Sequence, residues 1–174
     1  VWGVGGIASR RRSRAAVGNE AACGEKGVPF SGSLGGSETQ QFVFPPEPGP
    51  PSGFHILGKG TGNGTHLDQF TVTWAFDAQI DPETGNASGK GFSSFVTSTG
   101  DSLLTTATAE GTPPDENGLI AVVETHTISP ANGTGRFANA SGRFVMKRMV
   151  QVSKVGAVNY TFGSFEGTIL LNEN

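Results

Sequence analysis

A run of alternating polarity near the middle of the chain constrains the fold more than any other feature. In residues 69–76, QFTVTWAF, every second side chain is large and apolar. These apolar residues are Phe70, Val72, Trp74 and Phe76. Because successive side chains of a β-strand point to opposite faces, the alternation predicts a strand with one buried face.

Similar short segments fill the chain from about residue 28, and turn-forming residues separate them. Pro82 and Gly85 mark one turn, and TGD, residues 99–101, marks another. The segments amount to eight or nine strands with no convincing helix, and 27 glycines among 174 residues fit tight turns. This spacing predicts an all-β sandwich or barrel, and a barrel would remove the exposed strand edges. The segments include ETQQFVF, FHILGKG, KGFSSFVTS, SLLTTATAE, LIAVVETHTI, RFVMKRMVQVSKV and YTFGSFEGTILL.

A change in composition near residue 27 predicts the domain boundaries. Residues 1–27 are expected to form a flexible basic N-terminal arm, and residues 28–174 a single β-barrel domain. Within that domain, the proline-rich PPEPGPPSG, residues 45–53, predicts a long exposed loop between two early strands.

Charge is spread unevenly along the chain. The formal net charge is −3, and the segment RRRSR, residues 10–14, holds four of the twelve basic residues. The rest of the chain has eight basic and fifteen acidic residues. This acidic balance argues against nucleic-acid binding, which needs a cationic surface. The arginine run is interpreted as a processing remnant or solvated tail, with an anionic partner as the alternative.

Targeting and redox signals are sparse. Cys23 is the single cysteine, which excludes an intramolecular disulfide. No apolar run reaches the roughly 20 residues of a membrane-spanning helix. The segment EAAC, residues 20–23, is partly similar to a lipoprotein cleavage site, but Glu20 stands where an apolar residue is expected.

The glycine-rich stretch SPANGTGRFANASGRF, residues 129–144, fits a phosphate loop, a glycosylated tip or an architectural turn. A phosphate loop needs a following helix, whereas the next residues alternate like a strand, so that hypothesis fails. Gly133 and Gly135 permit positive φ angles, and Arg136 and Phe137 can pack back on a barrel end. These features favour an architectural role.

Five Asn-x-Ser/Thr triplets fit the pattern for N-glycosylation. A chain rich in Gly, Asn, Ser and Thr also produces such triplets by chance, so unmodified turn asparagines are the favoured interpretation. The five asparagines are Asn63, Asn86, Asn132, Asn139 and Asn159.

Four segments, in this order, resemble the sequence marks of bacterial proteins with an allene-oxide-cyclase-like barrel. They are GNGTHLDQFTVT, TGDSLL, GTGRFANASGRF and FEGTI, and the resemblance spans about residues 28–171. Plant allene oxide cyclases and dirigent proteins carry a similar Gly-x-Gly-x-Phe element. The resemblance implies an eight-stranded antiparallel barrel with a central cavity, and with the turn-rich composition it favours an extracytoplasmic or secreted protein.

The same resemblance implies no particular reaction. No catalytic residue of the plant cyclases can be placed on this chain position by position, and the bacterial members are mostly without an assigned activity. A shared fold does not imply a shared function. We therefore expect a pocket, with its chemistry to be argued from this chain's own residues.

Two pairs of polar residues are candidates for chemistry: His66 with Asp68, and Glu124 with His126. Residues two apart on a strand face the same side, so all four could face a cavity and bind zinc, iron or manganese. In the favoured alternative, His66 and Asp68 lie in water at a strand end, and Glu124 pairs with Arg148. We therefore expect no metal or other cofactor.

A group of bulky apolar residues predicts the lining of the barrel interior. A pocket for a small hydrophobic molecule and a filled core are both reasonable for eight strands, and filling is slightly favoured. The candidate ligand-binding residues are Trp74, Phe76, Phe144, Met146, Tyr160 and Phe162.

Three functional hypotheses follow. The leading one is a non-enzymatic β-barrel protein that binds a small hydrophobic ligand in its cavity. The alternative is an isomerase or cyclase, with Glu124 as the catalytic acid/base and Arg148 orienting it. The third is a structural or interaction module with a filled core, which uses its outer surface and forms a homo-oligomer as related barrels do.

Overall fold

The structure of the protein, a computed structural model, describes residues 27–153 and 157–171. Cys23 and the arginine run at residues 10–14 lie outside the described residues, as does nearly all of the predicted N-terminal arm. Within the described stretches, the one helical element is a 3₁₀ turn at Gly135–Phe137. No helix in these stretches is long and apolar enough to cross a membrane.

Eight strands form a closed antiparallel barrel in chain order, and the last strand pairs with the first. The predicted all-β, eight-stranded barrel is therefore confirmed, and the sandwich is excluded. The strands are β1 Val28–Val43, β2 Gly53–Gly64, β3 Asp68–Ile80, β4 Ala87–Thr97, β5 Ser102–Gly111, β6 Leu119–Gly133, β7 Ser141–Gln151 and β8 Val158–Leu170.

Connections alternate between the two ends of this meander. One end, which we call the open end, carries the β1–β2, β3–β4, β5–β6 and β7–β8 connections. The other, the closed end, carries the β2–β3, β4–β5 and β6–β7 connections. Residues 44–52 join β1 to β2 without regular structure, so the predicted proline-rich loop is confirmed.

Five phenylalanines fill the interior of the closed end. Each is at most 3% exposed, and the contacting ring centroids lie 5.1–6.2 Å apart. Burying one such side chain contributes about 1.5–3 kcal/mol. Aliphatic residues complete this core, including Leu67, Leu103, Ile128 and Ile169. The five phenylalanines are Phe30, Phe70, Phe95, Phe144 and Phe165.

The glycine-rich loop covers the closed end. Phe137 is fully buried beneath it, while Arg136 pairs with Asp68 at 3.2 Å and Asp101 at 3.4 Å. Gly135 has a φ of 57°, and a Cβ there would overlap the Asp101 side chain. The predicted architectural role of the loop is confirmed.

A glycine on β2 makes room for a large side chain on β3. Gly58 lies opposite Trp74 across the strand pair. A Cβ at Gly58 would overlap the indole ring, so the absence of a side chain there lets the indole occupy the interior. This pairing places a polar N–H of Trp74 inside the barrel.

The five glycosylation triplets differ in accessibility. Asn63, Asn86 and Asn139 are exposed and Asn132 is half-buried, whereas Asn159 is 1% exposed. The Asn159 Oδ1 accepts a hydrogen bond from the backbone N–H of Ser153 at 3.2 Å. A glycan on Asn159 is incompatible with this packing, which removes one of the five candidates.

Candidate ligand-binding cavity

Arg148 lies inside the barrel, between the phenylalanines of the closed end and the open end, and is 4% exposed. Its Nε and Nη2 donate to Glu124 Oε1 at 3.0 and 2.5 Å. Its Nη1 donates to Glu38 Oε2 at 2.9 Å and to Thr161 Oγ1 at 3.0 Å. The expected pairing of Glu124 with Arg148 is present, and Glu38 adds a second carboxylate to it.

The second oxygen of Glu124 connects this ion pair to His126, which is fully buried. Glu124 Oε2 lies 2.9 Å from His126 Nε2, and His126 Nδ1 lies 2.8 Å from Thr105 Oγ1. Nε2 donates to Glu124, since a carboxylate only accepts, and the Thr105 hydroxyl also lies 3.4 Å from the carbonyl oxygen of Ser93. The imidazole also stacks on Phe144, with ring centroids 4.5 Å apart.

Glu38 also accepts hydrogen bonds from Trp74, on the oxygen that Arg148 contacts, and from Gln40, on the other oxygen. Trp74 Nε1 donates to Glu38 Oε2 at 3.2 Å, and Gln40 Nε2 donates to Glu38 Oε1 at 3.2 Å. The Arg148 guanidinium carbon lies 5.0 Å from the Trp74 ring centroid, within cation–π range. We call the connected set the polar layer: Glu38, Trp74, Thr105, Glu124, His126, Arg148 and Thr161.

Every buried side-chain nitrogen and oxygen in the described residues has a hydrogen-bond partner. The polar layer therefore meets the condition under which buried polar groups are tolerated in a protein interior. Truncating one member would leave its partners buried and uncompensated.

Within the layer, Glu124 and Arg148 hold each other ionised. Burial raises the pKa of Glu124, but the Arg148 charge and the His126 hydrogen bond more than offset this, so the pKa lies below its ordinary value. Burial lowers the pKa of Arg148, and the Glu124 and Glu38 carboxylates outweigh it, so that pKa is raised. Glu124 is thus a carboxylate at neutral pH.

Towards the open end, the interior widens into a cavity of about 190 Å³. Among the described residues, this cavity is only partly enclosed. Glu38, Glu124 and Arg148 form its floor. Most of the apolar side chains on its walls are only half-buried although they face inward. Prominent wall residues are Phe42, Phe54, Ile56, Phe76, Ile120 and Val122.

The structure brings some of the predicted site residues to the cavity and places others below it. Phe76 lies on the wall, and Glu124 and Arg148 lie on the floor. Trp74 belongs to the polar layer. Phe144 and Met146 are buried in the hydrophobic core and do not line the cavity.

The prediction that Tyr160 and Phe162 line the interior is wrong. Tyr160 is 69% and Phe162 56% exposed, because their parity on β8 faces outward while Phe165 faces inward. The same parity continues into Glu166 and Thr168, both exposed. That polar continuation was the sequence signal for an outward face.

The four-residue metal site, the less favoured alternative from the sequence, does not form among the described residues. Positive φ angles at His66 and Asp68, 62° and 51°, break the alternation before β3, so Asp68 is exposed while Phe70 is buried. Asp68 pairs with Arg136 on the surface, as the solvated alternative expected, whereas Glu124 and His126 lie inside. In the part of the chain that the structure describes, no three His, Cys, Asp or Glu residues gather as metal ligands.

Sequence reasoning missed Glu38, Thr105 and Thr161. A signal existed for Glu38, since it shares parity with Leu34 and with the cavity-wall residue Phe42. A charged residue on an apolar strand face indicates a buried partner. The partner itself could not be read from the sequence, because Arg148 is 110 residues away.

The assembled site can hold a small molecule against apolar walls and offer it charged, hydrogen-bonding groups at one end. This combination is typical of ligand pockets, which are mostly apolar with a few placed polar groups. Comparisons with known proteins identify no relative: no protein-family model, no curated protein and no solved structure matches this chain.

Proposed function

We propose that this protein is a non-enzymatic binding protein that holds one small hydrophobic molecule in the cavity at the open end. A single observation carries the proposal. Inward-facing apolar side chains such as Phe54, Ile56 and Ile120 stay half-buried around the cavity, whereas their counterparts at the closed end are fully buried. Apolar surface left uncovered inside a barrel gains free energy when a ligand covers it.

The size of the cavity limits the ligand. A dry cavity of about 150 Å³ holds a benzene molecule. At about 190 Å³ this cavity accommodates a single ring with one or two further heavy atoms inside the walls. A longer molecule would extend through the open end.

Catalysis in the cavity, the isomerase or cyclase hypothesis, has less support. Glu124 accepts two hydrogen bonds from Arg148 and contacts His126, and its pKa is lowered. A carboxylate stabilised in this way is a weak proton acceptor at neutral pH, and it holds no proton to donate. The residues proposed as catalytic serve better as a fixed polar floor.

Family membership, secretion and homo-oligomer formation stay predictions from the sequence resemblance. None of them is needed for the binding proposal, which depends only on the interior of one barrel.

Titration calorimetry with toluene and benzyl alcohol tests the proposal on a matched pair of variants. Ala109→Phe adds a ring at the cavity wall, and Thr108→Phe adds the same ring to the outside of β5. We expect both molecules to bind the native protein and Thr108→Phe, and to lose measurable binding to Ala109→Phe. Native mass spectrometry of gently purified protein would show whether a natural ligand accompanies it.

Two results would contradict the proposal. One is absence of binding to the native protein, and the other is equal binding to both variants. The latter would place the ligand on the outer surface.

A further inference from the structure

The polar floor of the cavity carries more negative than positive charge. Glu38 and Glu124 supply two carboxylates, and Arg148 supplies one guanidinium that lies between them. Of the charged groups that line the cavity floor, two are carboxylates and one is a guanidinium, which leaves one negative charge in excess there. This charge is buried at the bottom of an apolar cavity, where solvent screens it poorly.

The floor also has more free hydrogen-bond acceptors than free donors. A carboxylate has about four acceptor positions, and a guanidinium has five N–H donors. Among the described residues, Glu38 accepts from Gln40, Trp74 and Arg148. Within residues 27–153 and 157–171, Glu38 Oε1 accepts the Gln40 bond alone, which leaves acceptor capacity on a cavity-lining carboxylate.

Glu124 repeats this pattern. Its Oε1 accepts both Arg148 bonds, and in the part of the chain that the structure describes its Oε2 has one contact, with His126. Four of the five Arg148 N–H groups are accounted for by Glu124, Glu38 and Thr161. The floor therefore offers more acceptor than donor capacity to a molecule in the cavity.

From this excess we propose that the cavity selects small hydrophobic molecules that carry a protonated amine, and that the ammonium group binds at Glu38 Oε1, on the cavity side of Arg148. This inference rests on the proposed function and names the chemical class of its ligand. An ammonium group has three N–H donors and cancels the excess charge. A carboxylate head group would instead face two carboxylates and find almost no donor.

Four molecules with one carbon skeleton separate the two proposals: toluene, benzyl alcohol, benzylamine and benzoate. At pH 7 we expect benzylamine to bind roughly tenfold or more tighter than toluene, because hydrogen bonds to charged groups are the stronger ones. Benzyl alcohol should be intermediate and benzoate weakest. Titration calorimetry at constant ionic strength gives the four dissociation constants.

The outcomes distinguish failure of this inference from failure of the proposed function. If toluene binds and Ala109→Phe abolishes it, but benzylamine binds no tighter, the amine inference is overturned and the binding proposal stands. Tightest binding by benzoate also overturns the inference. If none of the four binds, the proposed function itself is wrong.

Two variants locate the ammonium site. Glu38→Gln removes the excess charge but keeps an acceptor for Trp74, and should reduce the preference for benzylamine over toluene roughly tenfold. Gln40→Leu leaves both carboxylates and removes one donor from Glu38 Oε1, so it should preserve or increase that preference. If Glu38→Gln does not fold, Gln40→Leu tests the position by itself. A weaker preference of that variant for benzylamine over toluene would overturn the proposed ammonium site.

Discussion

Ile128 and Ile120 lie on the same strand and face the same interior, yet their surroundings differ. Ile128, at the closed end, is 2% exposed in contact with the phenylalanine core, whereas Ile120, at the cavity wall, is half-buried. Interiors packed at crystal-like density leave no room for a guest, and the closed end follows that rule. The contrast shows that the barrel is fully packed at its closed end and leaves inward-facing apolar side chains partly uncovered at its open end.

The largest effect we expect comes from breaking the layer that separates the two ends. Arg148→Met leaves Glu38 and Glu124 buried without their cation, which should lower the free energy of unfolding by about 3–5 kcal/mol. Urea unfolding measures this. The control Lys147→Met, at an exposed position on the same strand, should change stability by less than about 0.5 kcal/mol. A loss below about 1 kcal/mol for Arg148→Met would mean that the layer is solvated.

A smaller effect is expected for the same truncation, isoleucine to alanine, made at each end of the barrel. Ile128→Ala should lower the free energy of unfolding by about 2–5 kcal/mol, because it opens a cavity in a filled core. Ile120→Ala should cost about 1 kcal/mol, because only part of that side chain is buried and an open cavity already lies beside it. Equal losses in urea unfolding would show that both ends are packed alike.

The smallest effect is the dependence of stability on pH. The folded protein holds the pKa of Glu124 below its ordinary value of 4.5, so Glu124 contributes stability above that unfolded pKa. That contribution is lost as the pH falls through the lower, folded pKa. Urea unfolding between pH 7 and pH 3 should show this loss, and Glu124→Gln should reduce the slope. An unchanged slope in the variant would assign the pH dependence to other carboxylates.

Much of the interior was predictable because parity is a local property. The alternation in β3 correctly placed Phe70, Val72, Trp74 and Phe76 inward. Strict alternation ends at Asp68, where a positive φ accompanies an exposed side chain, as the favoured solvated alternative expected. The prediction failed at Tyr160 and Phe162, where aromatic character was given more weight than the polar residues that share their parity.

The sequence by itself determined an all-β chain, the inward parity of Glu124, His126 and Arg148, and the architectural role of the glycine-rich loop. Only the tertiary structure decided that Glu38 joins Arg148 across the barrel, and that one end is filled while the other encloses a cavity. Parity depends on neighbours two residues away, whereas strand register and barrel closure bring together residues from opposite parts of the chain. The volume left inside depends on all eight strands at once, so no single segment encodes it.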